Sequence, residues 1–267
     1  MNHSHRALVT ALILTGILVL AALFAPLLAP NDPNLTSLMD ALKGPSAQFP
    51  LGTDQLGRCM LSRLLYGART SVFASLVVTI VSFFVGVVAG GVAGYIGGPV
   101  DMVLSQIITI FQAFPKLILA IAVAAVLGIG IENTVFALSL VGWVEYARLA
   151  RTLASGLRGQ TFLQAAWLCG ESRGRIFIFR VVPNLLPPLI VQASLGVGTV
   201  ILEITALSYL GMGSEEAVAE WGSMISQGRT MLQTEPQLVL LPAIAIFLAS
   251  AAFQLLGERL QKEWNKG

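Results

Sequence analysis

Apolar residues in this chain fall in long blocks rather than in strict alternation, and six blocks approach the length a bilayer demands. A hydrocarbon core of about 30 Å takes about 20 residues of helix. Residues 7–29, 71–96, 104–127, 132–150, 185–210 and 238–257 are the predicted spans. The first is too long for a signal-peptide core and has no clear small-residue cleavage site behind it, so it reads as a retained helix. The fourth is the weakest apolar run. The polar stretches between the blocks give the rest of the outline. Residues 31–70 are mixed in polarity and broken by Pro33, Pro45 and Pro50. The chain therefore divides into an N-terminal span (1–30), an extracytoplasmic segment (31–70) and a five-span core (71–267), with a polar loop at about 152–182.

Several local patterns refine this outline. Gly86, Gly90 and Gly94 repeat small-xxx-small, which lets two helices approach closely in lipid. Gly97-Gly98-Pro99 turns the chain, and Asp101 is expected to cap the next helix. Phe114-Pro115-Lys116 interrupts the third span. Proline there leaves a carbonyl unpaired and kinks the helix, and Lys116 can snorkel towards the interface. The polar island from Gln164 to Pro183 reads as a short helix. Thr161 and Gln164 fit a capping box. Phe162, Ala165, Ala166 and Cys169 recur on one face built mostly of small residues, which another protein's surface could approach closely. Gly170 marks the stop, Arg173, Arg175 and Arg180 follow, and Pro183 opens the next apolar run.

Composition fixes the class. The chain is 55% hydrophobic and 11% charged, with a mean hydropathy of +0.79, against about 25% charged residues in soluble domains. The chain is all-α and integral to a membrane. The net charge of +2 says less than the placement of the charges. With the N-terminus inside, about ten Lys and Arg lie on the inner side (Arg6, six in the polar loop region and three in the tail) against about five outside. That puts both termini and the polar island in the cytoplasm. The Arg residues sit in loops beside apolar spans, so topology explains them and no nucleic-acid partner is implied. Cys59 and Cys169 fall on opposite sides, do not form a C-x-x-C pair, and read as small packing residues.

No catalytic constellation stands out. There is no P-loop, no Gly-rich dinucleotide turn and no HExxH. His3 and His5, both at the N-terminus, are the only histidines. No metal-ligand set is assigned. Glu203 is the one acid deep in an apolar block. An ionised side chain there costs at least a few kcal/mol, so it either faces a translocation pathway or packs as a protonated or hydrogen-bonded group. Asp54 and Arg58 likewise admit two readings, a solvated loop with a local ion pair or a substrate contact.

Two sets of motifs carry a resemblance. Ala165, Ala166, Gly170 and Pro183 match the EAA loop of bacterial ABC-importer permeases in type and spacing, with Gln164 in place of Glu and Val182 in place of Leu. Gln caps a helix but forms no ion pair. Phe49-Pro-Leu-Gly52-Thr-Asp54-Gln-Leu-Gly57-Arg58 and Leu61-Ser-Arg63-Leu-Leu-Tyr-Gly-Ala-Arg69 closely resemble the LGTDxLGRD…SRLLYGAR signature of the dipeptide, oligopeptide and nickel importers, with Cys59 replacing Asp. The Phe-Pro at 114–115, the Trp143-Val-Glu-Tyr-Ala-Arg148 segment, Leu207-Ser-Tyr-Leu-Gly-Met-Gly213 and Trp221-Gly222 are similar to that branch too, in the same order.

This resemblance implies a six-span permease of the type I importer fold, and with it a set of partners. These are a second permease of similar fold, two cytoplasmic ATPase subunits and an extracytoplasmic substrate-binding protein, in the bacterial inner membrane. It implies no cofactor in this chain, with ATP and magnesium held by the ATPases, and hence no enzyme activity of its own. It marks Gln164, Ala165, Ala166, Gly170, Arg173 and Pro183 as the ATPase-coupling loop, Glu203 and Pro115 as pathway candidates, and Gly52, Asp54, Gly57 and Arg58 as the extracytoplasmic signature. Many members carry their acid one position later, at Ile204 here, about 100° further round the helix. The Gly-Arg-Cys variant and Glu203 resemble the nickel-type members, which favours nickel or a metal chelate over a small peptide. The alternative is a self-contained secondary transporter or channel. That would call for several intramembrane charges and internal repeats.

Overall fold

The computed structural model describes residues 3–214 and 217–264. Glu215, Glu216 and Lys266, and the side chains of His3 and His5, lie outside the described residues. The helices run in order: α1 (His3–Leu23), α2 (Ala25–Leu28), α3 (Met60–Ile96), α4 (Gly98–Gln112), α5 (Lys116–Leu127), α6 (Ile131–Leu157), α7 (Thr161–Leu168), α8 (Arg173–Ile176), α9 (Val182–Tyr209), α10 (Trp221–Gly228) and α11 (Gln237–Trp264). A π-helical turn, Phe177–Val181, joins α8 to α9 without a break. Among the described residues the only β pairing is an isolated bridge between Thr53 and Cys59.

The framework is the pair α3 and α6. Helix α3 has 37 residues, about 55 Å at 1.5 Å per residue, and so outruns a 30 Å core. Its glycine stripe does what small-xxx-small spacing predicts. A Cβ on Gly90 would run into the carbonyl of Ala147, and one on Gly86 would lie 2.6 Å from the Trp143 carbonyl oxygen. The two backbones touch along this line, and Arg158, the C-cap of α6, donates to the Gly94 carbonyl at its end. Asp101 does not cap α4. It lies inside the first turn, with Gly97 at the cap, and accepts a bidentate pair from Arg151 at 2.5 and 3.0 Å. A guanidinium offers two parallel donors in one plane, which outcompetes the free amides of the turn.

The third predicted span is two helices. The chain breaks at 113–115, and α4 and α5 meet at 84°. Pro115 caps α5 in extended conformation, with φ −58° and ψ 125°. Four helical stretches among the described residues are long and apolar enough to cross a membrane, and a fifth if the bent pair counts as one. Helix α6, the predicted fourth span, is not among them although it has 27 residues. It carries Glu132, Glu145, Arg148 and Arg151, and much of it is buried against α3, α4, α5 and α9. A helix enclosed by other helices does not have to be apolar all round.

Four apolar clusters pack round this frame, the smallest being Ile108, Val144 and Ala147 between α4 and α6. Trp221, Met60, Val72, Ile201 and Phe253 join α1, α3, α9, α10 and α11 at one end. Tyr146, Leu163, Ile176 and Leu185 join α6, α7, α8 and α9 at the other. Ala120, Leu138, Ile204 and Leu207 lie between α5, α6 and α9. The cysteines are far apart in role: Cys59 is buried, but Cys169 is exposed rather than packed.

Candidate functional site

Three of the marked regions can be built from their residues upward. The first is helix α7. The expected capping box is absent, because Thr161 is already inside the helix and Gln160 occupies the cap without a side-chain bond. The Gln164 amide instead reaches only the Gly159 carbonyl, at 3.5 Å. The stop is as read. Gly170 has φ +84°, a conformation that favours glycine, and its N–H donates to Trp167 while that of Glu171 donates to Ala166. Those two bonds form a Schellman cap.

The faces of α7 differ from the sequence reading in one respect. Ala166 points inward with Leu163, and both are buried in the apolar cluster that Tyr95, Leu157 and Phe177 also pack against. Phe162, Ala165 and Cys169 face out, beside Trp167 and Leu168, which are 62% and 80% exposed. Arg173 and Gln164 are exposed nearby, and Pro183 sits in the first turn of α9. An eight-residue helix thus presents an apolar face with no cover from its own chain. Such patches mark interaction surfaces.

The second region is the signature turn read from the sequence as extracytoplasmic. Its Asp54–Arg58 ion pair forms, with Nε to Oδ2 at 2.7 Å, but it is buried rather than solvated. Asp54 also accepts from the Leu56 and Arg58 amides at 2.9 Å. Arg58 donates to Gln227 at 2.9 Å, and Arg63 donates to the Pro33 carbonyl at 3.2 Å and faces Asp54 at 3.6 Å. Arg58 and Arg63 are 2% and 1% exposed. Gly52 and Gly57 both take φ near +75°, and a Cβ on Gly57 would strike the Ser37 carbonyl. The turn therefore folds tightly under residues 37–43 and drives both guanidinium groups inward against α10. Beside it Glu220, fully buried, caps α10. It accepts from the Gly222 and Ser223 amides at 2.8 Å and from the Ser71 hydroxyl at 3.1 Å. Trp221 donates to the Leu64 carbonyl at 3.0 Å.

The third region was read as one acid and one snorkelling lysine. The fold brings them together. Lys116 Nζ lies 2.8 Å from Glu203 Oε1 and 3.5 Å from Glu145 Oε1, so α5, α9 and α6 meet at one ammonium. Lys116 does not snorkel, because the break at Pro115 starts a new helix there and aims the side chain between its neighbours. Glu145 is 14 residues from one end of α6 and 12 from the other, about 21 and 18 Å. The second oxygen of Glu203 is buried and accepts no hydrogen bond. Ile204, one position on, is fully buried in the apolar cluster instead.

Two cavities share Lys116, Glu145 and Gln192 as walls. One, of about 660 Å³, extends past Arg148 and Thr152. The other, of about 100 Å³, is closed by Thr79 and Ser82 of α3 and Thr199 of α9. The Thr79 and Ser82 hydroxyls are buried and have no partner. Sequence reasoning passed over Glu145, Gln192, Thr79 and Ser82. Glu145 lay in the weakest apolar block, and that weakness was the available signal. The two hydroxyls had none, since Ser and Thr are ordinary inside membrane helices.

Comparison with known proteins agrees with this architecture. A family model described as "Binding-protein-dependent transport system inner membrane component" matches residues 86–266, and one described as "N-terminal TM domain of oligopeptide transport permease C" matches residues 3–45. The chain is 38% identical over 257 residues to the dipeptide transport system permease protein DppC of Alkalihalophilus pseudofirmus, covering 96% of this chain and 84% of that one. It is 37% identical over 251 residues to the nickel transport system permease protein NikC of Escherichia coli, covering 94% and 91%. A chain of the MetNI methionine ABC transporter, in an inward-facing conformation, shares the fold with a TM-score of 0.57 at 20% identity, over 76% of this chain and 97% of that one.

Proposed function

The chain belongs to the binding-protein-dependent transport inner membrane components, in the branch of the dipeptide, oligopeptide and nickel permeases, and from that premise we propose how it works. It is the membrane permease of an ATP-driven importer for small peptides or nickel, free or chelated. It works beside a second permease of similar fold, two cytoplasmic ATPase subunits and an extracytoplasmic binding protein, in the bacterial inner membrane with both termini in the cytoplasm. Helix α6, enclosed and half polar, completes six spans. The chain performs no chemistry, and ATP and magnesium belong to the ATPases.

The observation that carries this reading is the uncovered apolar face of α7. Phe162, Ala165, Leu168 and Cys169 lie outward, while Leu163 and Ala166 bury the inner face in an apolar cluster that also holds residues of α6, α8 and α9. A force applied to the outer face passes through those two residues and the adjoining α8 into that cluster. Closure of the ATPase dimer moves α7, and the spans around Lys116 reopen on the other side. The signature residues Gly52, Asp54, Gly57 and Arg58 hold the extracytoplasmic segment in place rather than touch substrate. Glu203 lines the path and Pro115 shapes it.

The test is uptake of labelled dipeptide or nickel by the whole complex in vesicles, with ATP and without. Ala165→Arg puts bulk and charge on the outer face at a position a helix tolerates. It should abolish ATP-driven uptake while leaving the complex folded. Undiminished uptake in that variant sinks the coupling role of α7. A self-contained transporter would use the same three charges as an ion relay, and uptake without ATPase subunits would reveal it.

A further inference from the structure

Resting on the pathway reading of Glu203, we infer that the Lys116–Glu145–Glu203 cluster is a transient subsite for the protonated amine of a zwitterionic substrate, with Lys116 taking its carboxylate. The cluster already holds an ammonium, the chain's own. Lys116 Nζ sits at 2.8 Å from one carboxylate and 3.5 Å from the other. The geometry that suits this –NH3+ suits another. With both acids ionised, two carboxylates face one ammonium, and Glu203 Oε2, buried and without a hydrogen bond, is an acceptor left unsatisfied until Lys116 is displaced and the site rearranges. An ammonium carries three donors, and carboxylate and hydroxyl oxygens are what it seeks.

The second observation is independent of the charges. Thr79 and Ser82, 4% and 1% exposed, line the same small cavity with hydroxyls that no protein atom satisfies. Buried polar groups are nearly always paired, so two unpaired hydroxyls in a cavity that Lys116 and Glu145 also line fit a passing polar ligand. Glycine makes the room. A Cβ at Gly142 would lie 2.7 Å from the Ser82 hydroxyl, and one at Gly196 2.5 Å from the Tyr146 hydroxyl.

A substrate amine that binds Glu203 displaces Lys116, and the freed lysine meets the substrate's carboxylate. The exchange trades one set of ion pairs for another and leaves the net charge in the membrane unchanged. A bare divalent transition metal has no such match. Among the described residues no three His, Cys, Asp or Glu side chains come together to hold one, and the donors here are hard oxygens. The structure thus favours a peptide-like substrate, against the preference for nickel drawn from the Gly-Arg-Cys variant.

The experiment measures binding to the purified permease complex in lipid nanodiscs without binding protein, by saturation-transfer NMR. The probes are alanyl-alanine, N-acetyl-alanyl-alanine and Ni2+. Alanyl-alanine should bind at least tenfold more tightly than its acetylated form, and Glu203→Gln should weaken it by tenfold or more. Thr79→Val should weaken it several-fold, and it serves alone if Glu203→Gln does not assemble. Equal binding of the two peptides, no detectable alanyl-alanine binding, wild-type binding by either variant, or displacement by equimolar Ni2+ overturns the subsite. ATP-dependent uptake in vesicles persists in all those cases. Its absence would instead overturn the permease mechanism.

Discussion

Two charged clusters sit inside this molecule, one buried and one partly exposed, and they differ in how fully they are satisfied. At the 52–63 turn, Asp54 accepts from two amides and from Arg58 while Arg63 faces it at 3.6 Å, Arg58 and Arg63 share Gln227, and all four acceptor contacts of Glu220 are used. At the α5–α6–α9 junction, one lysine serves two carboxylates, one carboxylate oxygen accepts nothing, and two neighbouring hydroxyls are unpaired. A saturated network holds a shape, because every departure costs a bond. An unsaturated one is poised to exchange partners. The same kinds of residue therefore hold a shape in one place and, on the proposed mechanism, exchange partners in the other.

The sharpest break of this contrast comes from Glu220→Ala. It strips the acceptor from two amides and two hydroxyls in a dry site. Hydrogen bonds to a charged group are worth about 1.5–3 kcal/mol each, so a loss of about 3 kcal/mol or more is expected. Thermal unfolding in detergent would read this as a large fall in midpoint or in the yield of monodisperse protein. Lys116→Met should cost far less stability, about 1–2 kcal/mol, because the cluster is partly exposed and a carboxyl can take up a proton. Its ATP-driven uptake should nonetheless fall tenfold or more. If the two variants lose stability equally, the division between holding and exchanging is wrong.

Ser82→Ala sharpens the contrast from the other side. Removing a hydroxyl that has no partner should change stability by less than about 1 kcal/mol, and in the favourable direction. Leu168→Ser, on the uncovered face of α7, should shift the midpoint by no more than about 0.5 kcal/mol equivalent, since that side chain packs against nothing in its own chain. Uptake, however, should drop steeply. The smallest effect is at Asp40. Hydrogen bonds from Lys43, and then from Ser37, hold its carboxyl below the usual carboxylate range. Its contribution is complete above the ordinary carboxylate pKa and fades as pH falls through the lowered one. Lys43→Gln should erase that slight acid-side loss and leave the neutral midpoint nearly unmoved.

Much of the region round α7 was legible in the sequence. The glycine stop at Gly170 and the proline start of α9 are local, because they depend on backbone conformations that only particular residues favour. The capping box failed for the same reason local motifs often fail. Its four residues fit the pattern, but the helix began one residue earlier. Asp101 misled similarly, since the competing donor, Arg151, is 50 positions away in sequence. The burial of Asp54 and Arg58 could not be read, because their motif looks like any polar turn until α10 closes over it.

Sequence alone determined the membrane class, the main apolar blocks and the proline at the break between α4 and α5, the glycine stripe that lets α3 meet α6, and the family. These follow from composition and from patterns within one or two turns, where the side chain's own chemistry sets the outcome. Only the tertiary structure decided that Lys116, Glu145 and Glu203 share one site, that Ile204 does not, and that Thr79 and Ser82 face it unpaired. Those residues come from four helices, and the angle at Pro115 sets where the first of them points. An 84° bend has no signature in the sequence beyond the proline itself. Its direction is settled by packing against helices that the local chain does not contain.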